Sequence, residues 1–250
     1  MARPIIRCID DSLDRVRGRP VAPWALRSQV PGDFRKIGRE FLGYMVQFGD
    51  LRPDAHVLEI GHRAGRMAIP LTRYLGPNAR YEGVDDWEEG TAWCQGALTP
   101  RYPNFHFRNV RMMNHFAASR LPERAPLPYE DDTFDVVILT SIVHLPQAVF
   151  YQQLHEAARV IRTGGTYIGT WFLLDRPWDN QRSVPPIACS ESDARQRLWT
   201  LNLAVQTILR GRWDGHKPSL SYQDLVIARK VAVTSRSDFV APPSVEAASG

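Results

Sequence analysis

The chain has 250 residues, of which 44% are hydrophobic and 23% are charged, and its net charge is +4. This length and composition predict one globular α/β domain with a well-filled core and leave too little chain for two full domains. No apolar run approaches the roughly 18 residues that a membrane span requires, and the basic residues are scattered rather than clustered. We therefore expect binding to neither membranes nor nucleic acid.

The cysteines do not form a metal-binding or disulfide pattern. Cys8, Cys94 and Cys189 are far apart and odd in number, so neither a disulfide framework nor a cysteine metal site is predicted. Acidic residues interrupt the N-terminal segment, which therefore lacks the apolar core of a signal peptide. These features predict a cytoplasmic protein.

Residues 1–32 are rich in proline and glycine and predict an N-terminal arm. The arm could fold over the protein's own active site or swap between the protomers of a homodimer, and Trp24 and Leu26 are its candidate anchors. Asp33 is the predicted N-cap of the first helix. Apolar residues recur in this helix at spacings of three and four, namely Phe34, Ile37, Phe41, Met45 and Phe48.

A strand, a glycine turn and a helix follow at residues 56–75. Residues 56–60 form a short apolar run, Gly61 and Gly65 frame a tight turn, and residues 66–75 predict a helix. Glycines allow a ligand to approach the backbone closely, and a helix N-terminus offers free N–H groups to an anion. The pattern is typical of a nucleotide-binding βαβ unit.

The rest of the chain alternates predicted strands and helices. Strands are predicted at residues 81–85, 104–110, 134–140, 166–174 and 221–229, and helices at residues 87–98, 146–161 and 192–209. Residues 164–165 predict a turn, residues 111–133 a long loop and residues 233–250 a disordered tail. The alternation predicts a doubly wound, mostly parallel sheet with its ligand at the carboxyl ends of the strands.

Several motifs, taken in order, resemble the class I S-adenosylmethionine-dependent methyltransferases that act on small molecules. The motifs are Val57-Leu58-Glu59-Ile60-Gly61, Gly83-Val84-Asp85 and residues 99–105, 134–137, 158–165 and 221–230. The resemblance implies a Rossmann-like domain over residues 33–232, with seven strands and a final antiparallel hairpin. It also implies that residues 175–220 cap the substrate side.

The resemblance further implies which residues contact S-adenosylmethionine. The cofactor would lie over Gly61 and Gly65, with Glu59 among its contacts and its ribose near Asp85. Asp85 follows Gly61 by 24 residues, close to the distance at which an acidic residue meets a ribose in such folds. Trp87, just after Asp85, is a candidate cover for the adenine.

Two positions depart from the pattern of this family. The middle glycine of its loop is Arg63 here, and the guanidinium either fills space that the cofactor needs or turns outward to pair with the cofactor carboxylate. The aspartate that ends its third strand and meets the adenine amino group is Arg111 here. A guanidinium can only donate hydrogen bonds, so it cannot accept one from that amino group.

Two histidines are candidate catalytic residues. His144 follows the fourth strand, where the family places a residue near the cofactor or substrate, and it is either a catalytic base or a packing residue. His62 stands where a small residue is common in the family. Together with His115 they could converge at the strand ends, but no pair has helical metal-ligand spacing, so no metal site is predicted.

These observations leave three functions open. The first is methyl transfer from S-adenosylmethionine to a small molecule, in natural-product biosynthesis, and it has the support of the fold and the retained acids. The second is a cofactor-independent cyclisation, isomerisation or other pericyclic reaction on the same fold, and Arg63, Arg111 and His62 favour it. The third, a non-catalytic partner protein, is least favoured because no motif predicts a partner surface.

Overall fold

The computed structural model describes residue 18 and residues 20–110, 126–140, 145–174, 187–211 and 223–232. Six helices and seven strands lie within these ranges. The helices are α1 (Trp24–Arg27), α2 (Phe34–Gln47), α3 (Ala68–Leu71), α4 (Glu88–Ala97), α5 (Gln147–Val160) and α6 (Glu191–Thr200). The strands are β1 (His56–Ile60), β2 (Arg80–Asp85), β3 (Phe105–Asn109), β4 (Phe134–Leu139), β5 (Ile161–Trp171), β6 (Leu203–Leu209) and β7 (Asp224–Lys230).

The seven strands form one sheet in the order β3-β2-β1-β4-β5-β7-β6. Strands β1 to β5 are parallel, whereas β7 is antiparallel to both β5 and β6. This topology confirms the predicted doubly wound, Rossmann-like sheet with a final antiparallel hairpin. The strand order reverses between β1 and β4, and in such sheets a ligand crevice lies outside the carboxyl ends of the strands at that point.

Strand β1 lies at the centre of the sheet and is buried on both faces. Val57 packs into the apolar cluster that α2, α3 and α4 cover, whereas Leu58 and Ile60 pack into the cluster that α5 and α6 cover. Burial on both faces explains why the strand is a nearly continuous apolar run rather than an alternating one. The loop that follows β1 is therefore held on a rigid support.

Helix α2 forms as its sequence predicts. The Asp33 side chain accepts a hydrogen bond from the Lys36 backbone N–H at 3.1 Å and so caps the first turn. Ile37, Phe41 and Met45 face the core and are buried. Because the chain runs from the end of α2 into the start of β1, the N-terminus of α2 lies toward the carboxyl edge of the sheet.

The helix predicted over residues 66–75 is reduced to the four residues of α3. Pro70 lacks a backbone donor, and the Thr72 hydroxyl donates to the Ile69 carbonyl at 2.7 Å. Beyond α3 the backbone bonds tighten to neighbours three residues apart, as between the Arg73 N–H and the Pro70 carbonyl. The segment stays compact, but most of it is turns.

The prediction of a helix over residues 192–209 is wrong beyond Thr200. Asn202 adopts a left-handed conformation with φ of 60° and reverses the chain, and β6 follows as an edge strand. The described part of segment 175–220, which is predicted to be a cap, thus supplies a helix and a strand to the sheet. The domain boundaries drawn at residues 32, 175, 220 and 232 stay a prediction.

Strand β5 begins five residues before the predicted start at residue 166. Ile161 pairs with Phe134 and Thr166 pairs with Val136, so the residues between them form an irregularity in the ladder. Gly164 lies there with φ of 79°, which a glycine adopts at little cost. The predicted turn at residues 164–165 is therefore a bulge inside the strand.

Candidate functional site

The loop between β1 and α3 contains three residues with left-handed backbones. Gly61 has φ of 88°, Arg63 of 52° and Gly65 of 74°. The Gly61 N–H donates to the Val84 carbonyl at 2.8 Å, which ties the loop to the end of β2. Arg63 therefore keeps a backbone conformation that glycine adopts most easily, although its side chain is large.

The Arg63 side chain turns toward Asp85 at the carboxyl end of β2. A guanidinium nitrogen lies 3.4 Å from the Asp85 carboxylate, and the Arg63 backbone N–H donates to the same carboxylate at 2.6 Å. The Asp85 side chain is 1% exposed and that of Arg63 is 30% exposed. Two residues that are predicted to contact a cofactor therefore contact each other.

Trp87 completes this cluster. Its backbone N–H donates to Asp85 at 2.8 Å, and its ring lies under the Arg63 guanidinium, which is 4.5 Å from the ring centroid. This distance is typical of a cation–π contact. The side chains of Arg63, Asp85 and Trp87 thus form one connected group, which we call the Arg63 cluster.

Glu59 lies beneath the loop rather than on its surface. It is 1% exposed, and its carboxylate accepts a hydrogen bond from the Tyr81 hydroxyl at 2.5 Å. Burial raises the pKa of Glu59 to about 8, although the Tyr81 hydrogen bond lowers it. Glu59 is therefore mostly protonated at neutral pH and packs in the core. The sequence does not reveal Tyr81 as its partner.

His62 is also buried beneath the loop. Its ring nitrogens lie 3.3 Å from the Thr91 hydroxyl and 3.9 Å from the Cys94 sulfur, and its ring packs edge-to-face on Phe107. Burial lowers the pKa of His62 to about 3, so the imidazole is neutral at physiological pH. No part of its side chain faces solvent, so this position supports a packing role and not the predicted catalytic one.

Gly83 explains how the fold accommodates an imidazole at position 62. A Cβ atom at Gly83 would lie 3.0 Å from the His62 ring and 2.9 Å from Phe107. The space above this glycine is therefore filled by the histidine. The pairing of a histidine after Gly61 with a glycine on β2 is a signal that sequence reasoning missed.

The described part of the N-terminal arm covers the glycine loop. Ala22, Val30 and Phe34 form a buried cluster with Ala64, and the Arg66 guanidinium donates to the Pro31 carbonyl at 2.9 Å. Leu26 packs against this cluster, as predicted. Trp24 is 60% exposed and is not the buried anchor that its sequence position predicts.

Two predicted site residues lie outside the described residues. These are His144, the candidate base, and Arg111, the candidate neighbour of the adenine. His115 is outside them as well. Within the described ranges, no group of histidine, cysteine or acidic side chains could hold a metal ion, and no helix is long and apolar enough to cross a membrane.

The residues at the loop fit S-adenosylmethionine in part. A Cβ atom at Gly65 would lie 3.1 Å from the Cys94 sulfur, so this position favours glycine, and Asp85, which the resemblance assigns to a ribose, lies beside the loop. The Arg63 guanidinium, however, already pairs with this carboxylate and covers Trp87. The loop backbone is therefore compatible with the cofactor, whereas the Arg63 side chain contacts the carboxylate that the resemblance assigns to the ribose.

Residues 57–165 match a family model that describes a methyltransferase domain. The (4+2) cyclase SpnF is a structural neighbour with 14% identity and a TM-score of 0.57, over 78% of this chain and 80% of that chain. A methyltransferase from Burkholderia thailandensis, solved with 1,6-didemethyltoxoflavin and S-adenosylhomocysteine, has 16% identity and a TM-score of 0.53, over 80% and 78% of the two chains. A SAM-dependent methyltransferase from Aquifex aeolicus has 17% identity and a TM-score of 0.50, over 78% and 89%.

At these identities the structural neighbours establish the fold alone, and the family model identifies the domain that contains the glycine loop. Both findings agree with the seven-stranded topology and with the motifs at Glu59, Gly61 and Asp85. Residues 57–165 therefore match a methyltransferase domain, on a fold that the chain shares with S-adenosylmethionine-dependent methyltransferases.

Proposed function

We propose that the protein is a methyltransferase that transfers a methyl group from S-adenosylmethionine to a small molecule of natural-product biosynthesis. The observation that carries the proposal is the backbone of the glycine loop. It keeps left-handed conformations at Gly61, Arg63 and Gly65, directly beside a buried acid at the end of β2. This backbone is what a nucleotide cofactor needs at the switch point of the sheet.

When bound, S-adenosylmethionine supplies a methyl group on a sulfonium, which an acceptor attacks in line. Asp85 would accept hydrogen bonds from the ribose hydroxyls, and Gly61 and Gly65 would allow close approach to the loop backbone. The arm, through Val30 and Phe34, would exclude water above the loop. The main tasks of these residues are to position the reactants and exclude water. His144 stays a proposed base.

The Arg63 side chain can be displaced at modest cost. Its guanidinium is 30% exposed and makes a single contact of 3.4 Å with Asp85. The contact with Trp87 contributes about 0.5–1 kcal/mol at such a site. Asp85 would keep its two backbone donors after the side chain leaves. A released guanidinium could then pair with the cofactor carboxylate.

The Arg63 cluster also favours a second function. A guanidinium that fills the ribose and adenine region would leave the fold without its cofactor, and the buried loop would serve a cofactor-independent reaction such as a cyclisation. One structural neighbour, SpnF, is itself described as a cyclase. Such an enzyme would use the positive charge of Arg63 to bind or polarise its substrate.

Calorimetric titration with S-adenosylhomocysteine separates the two functions. We expect the wild type to bind this probe and Asp85→Asn to bind it about tenfold more weakly, because charge-assisted hydrogen bonds to the ribose are lost. Asp54→Asn is the matched control, since Asp54 is an exposed carboxylate near the start of β1. Its affinity for the probe should equal that of the wild type.

The variant Arg63→Gly identifies what the guanidinium does. Weaker binding of S-adenosylhomocysteine than in the wild type would mean that Arg63 pairs with the probe's carboxylate. Binding that exists only in Arg63→Gly would mean that the natural side chain closes the site, and the cofactor-independent function would replace methyl transfer. If neither protein binds S-adenosylhomocysteine at concentrations up to about 1 mM, the methyltransferase proposal is refuted.

A further inference from the structure

A cavity of about 320 Å³ lies between α1 and the N-terminal end of α2, and no part of the proposed methyl transfer uses it. Its apolar side is formed by Trp24, Val30, Pro31 and Phe34. This volume is at the lower end of the range for small-molecule pockets. Trp24, which is largely exposed, stands at its rim and offers a flat aromatic face.

Charged residues also line the cavity. The described residues that line it include four cations and one carboxylate, namely Arg27, Arg35, Lys36, Arg39 and Asp33. The carboxylate of Asp33 accepts the Lys36 backbone N–H and so caps the helix. Arg27 is 9% exposed, and its guanidinium lies 6.0 Å from the centroid of the Trp24 ring. The lining therefore carries a net positive charge, which favours an anion.

The position of these cations is unfavourable for the helix alone. Arg35, Lys36 and Arg39 lie in the first two turns of α2, where the partial positive charge of the helix dipole repels cations, and the first turn contains no acidic residue. Arg35 and Arg39 are also four residues apart, a spacing at which like charges destabilise a helix. The Asp33 carboxylate at the N-cap offsets part of this repulsion, and a bound anion would offset more of it.

The cavity lies beside the glycine loop. The segment that forms its apolar side packs with its other face on the loop, because Val30 and Phe34 contact Ala64 and the Pro31 carbonyl accepts from Arg66. The N-terminus of α2 also points to the carboxyl edge of the sheet, where ligands of this fold bind. A molecule in the cavity would therefore be near the loop but on the other side of the arm.

We propose that this cavity binds the carboxylate or phosphate group of a small molecule whose apolar body rests on Trp24. The cations of α1 and α2 hold the anion by charge-assisted hydrogen bonds, and the aromatic rim holds the apolar part. This molecule has no part in the proposed methyl transfer, because the arm separates the cavity from the glycine loop, so the binding site does not depend on the proposed function.

Calorimetry with 2-naphthoate on the full chain at low salt tests the site, with the uncharged 2-naphthamide as the matched ligand. We expect Lys36→Gln and Arg39→Gln each to weaken naphthoate binding about tenfold, since each removes a hydrogen bond to a charged group. Arg73→Gln is the control, because Arg73 is an exposed arginine outside the cavity. Naphthamide should bind at least about tenfold more weakly than naphthoate.

Inorganic phosphate tests whether the same site takes both a carboxylate and a phosphate. Competition between phosphate and naphthoate supports a shared anion site, whereas the lack of competition contradicts it. Equal binding of naphthoate and naphthamide, unchanged affinity in both α2 variants, or no naphthoate binding up to about 10 mM would overturn the proposal. Titration of Lys36→Gln with S-adenosylhomocysteine shows whether the cofactor proposal stands or fails on its own.

Discussion

Arg63 combines a backbone that suits glycine with a side chain that makes specific contacts. The left-handed backbone region is disfavoured for residues with a Cβ atom, and Arg63 adopts it. The ion pair with Asp85 and the contact with Trp87 stabilise this conformation and offset part of its cost. The sequence shows that an arginine replaces a glycine of the family loop. It does not show that Arg63 and Asp85 meet, because that depends on how closely the ends of β1 and β2 approach.

Paired substitutions at position 63 measure the backbone strain. Arg63→Gly and Arg63→Ala both remove the side-chain contacts, so their difference in unfolding free energy reports the backbone alone. We expect the glycine variant to be more stable than the alanine variant by about 1 kcal/mol, because φ is 52°. Urea unfolding followed by circular dichroism measures both variants.

Arg39 provides the control for this comparison, because it is an exposed arginine inside α2. At position 39 the order of stability reverses, and the alanine variant should be more stable than the glycine variant by about 1 kcal/mol. If alanine is the more stable residue at both positions, the loop backbone is not left-handed at Arg63 in solution.

The glycine loop and α4 form one packed unit. Gly65 lies against Cys94 and Leu98 of this helix, and His62 reaches Thr91 in it. The sequence predicted β1, the two glycines and α4 with bounds accurate to within one residue. It did not predict that α3 is only one turn, since Pro70 and Thr72 disrupt the helix through local hydrogen bonding that an apolar pattern does not record.

Glycine-to-alanine substitutions in this unit should have opposite effects. Gly65→Ala should destabilise the protein by about 1–3 kcal/mol, because φ is 74° and the new methyl group would lie 3.1 Å from the Cys94 sulfur. Gly96→Ala in α4 should stabilise it by about 0.5–1 kcal/mol, because no atom lies within 4 Å of the new methyl group and alanine favours a helix. Thermal unfolding of both variants checks the signs, and a stabilised Gly65→Ala would contradict the packing of loop on helix.

The stability of the whole molecule should depend on pH through two buried groups. Glu59 has a pKa raised from 4.5 to about 8, so the folded state keeps a proton that the unfolded state releases, and stability falls as pH rises through this window. His62 has a pKa lowered from 6.5 to about 3, so its contribution is lost as pH falls below 6.5. Between about pH 4.5 and 6.5 the two effects on the unfolding free energy oppose each other, and above pH 6.5 only the effect of Glu59 remains.

The variant Glu59→Gln isolates the first effect. Between pH 6.5 and 8 the wild type should lose unfolding free energy with a slope of up to about 1.4 kcal/mol per pH unit, whereas Glu59→Gln should be nearly flat. Glutamine can still accept the Tyr81 hydrogen bond, so the fold should be retained. The exposed Glu130→Gln serves as the control and should keep the wild-type slope. Equal slopes in all three proteins would show that Glu59 is ionised in the folded state.

The fold as a whole was more predictable than its C-terminal part. Strands β1, β2 and β4 are short apolar segments bounded by turn residues, and their alternation with helices was enough to predict the sheet. Strand β6 was missed because Leu201, Val205 and Ile208 also fit a helical spacing, and only Asn202 marks the reversal before it. The cavity on α2 was missed because it depends on α1 packing beside Arg35 and Lys36, which no pattern within one element records.

The position of β7 has a consequence for how the chain folds. This strand is the last one in sequence among the described residues, yet it lies between β5 and β6 and bonds to both. During synthesis, β6 must therefore wait without a partner until residues 224–230 have left the ribosome. Strands β1 to β5 can pair as they emerge, whereas the antiparallel end of the sheet closes only when nearly the whole chain is present.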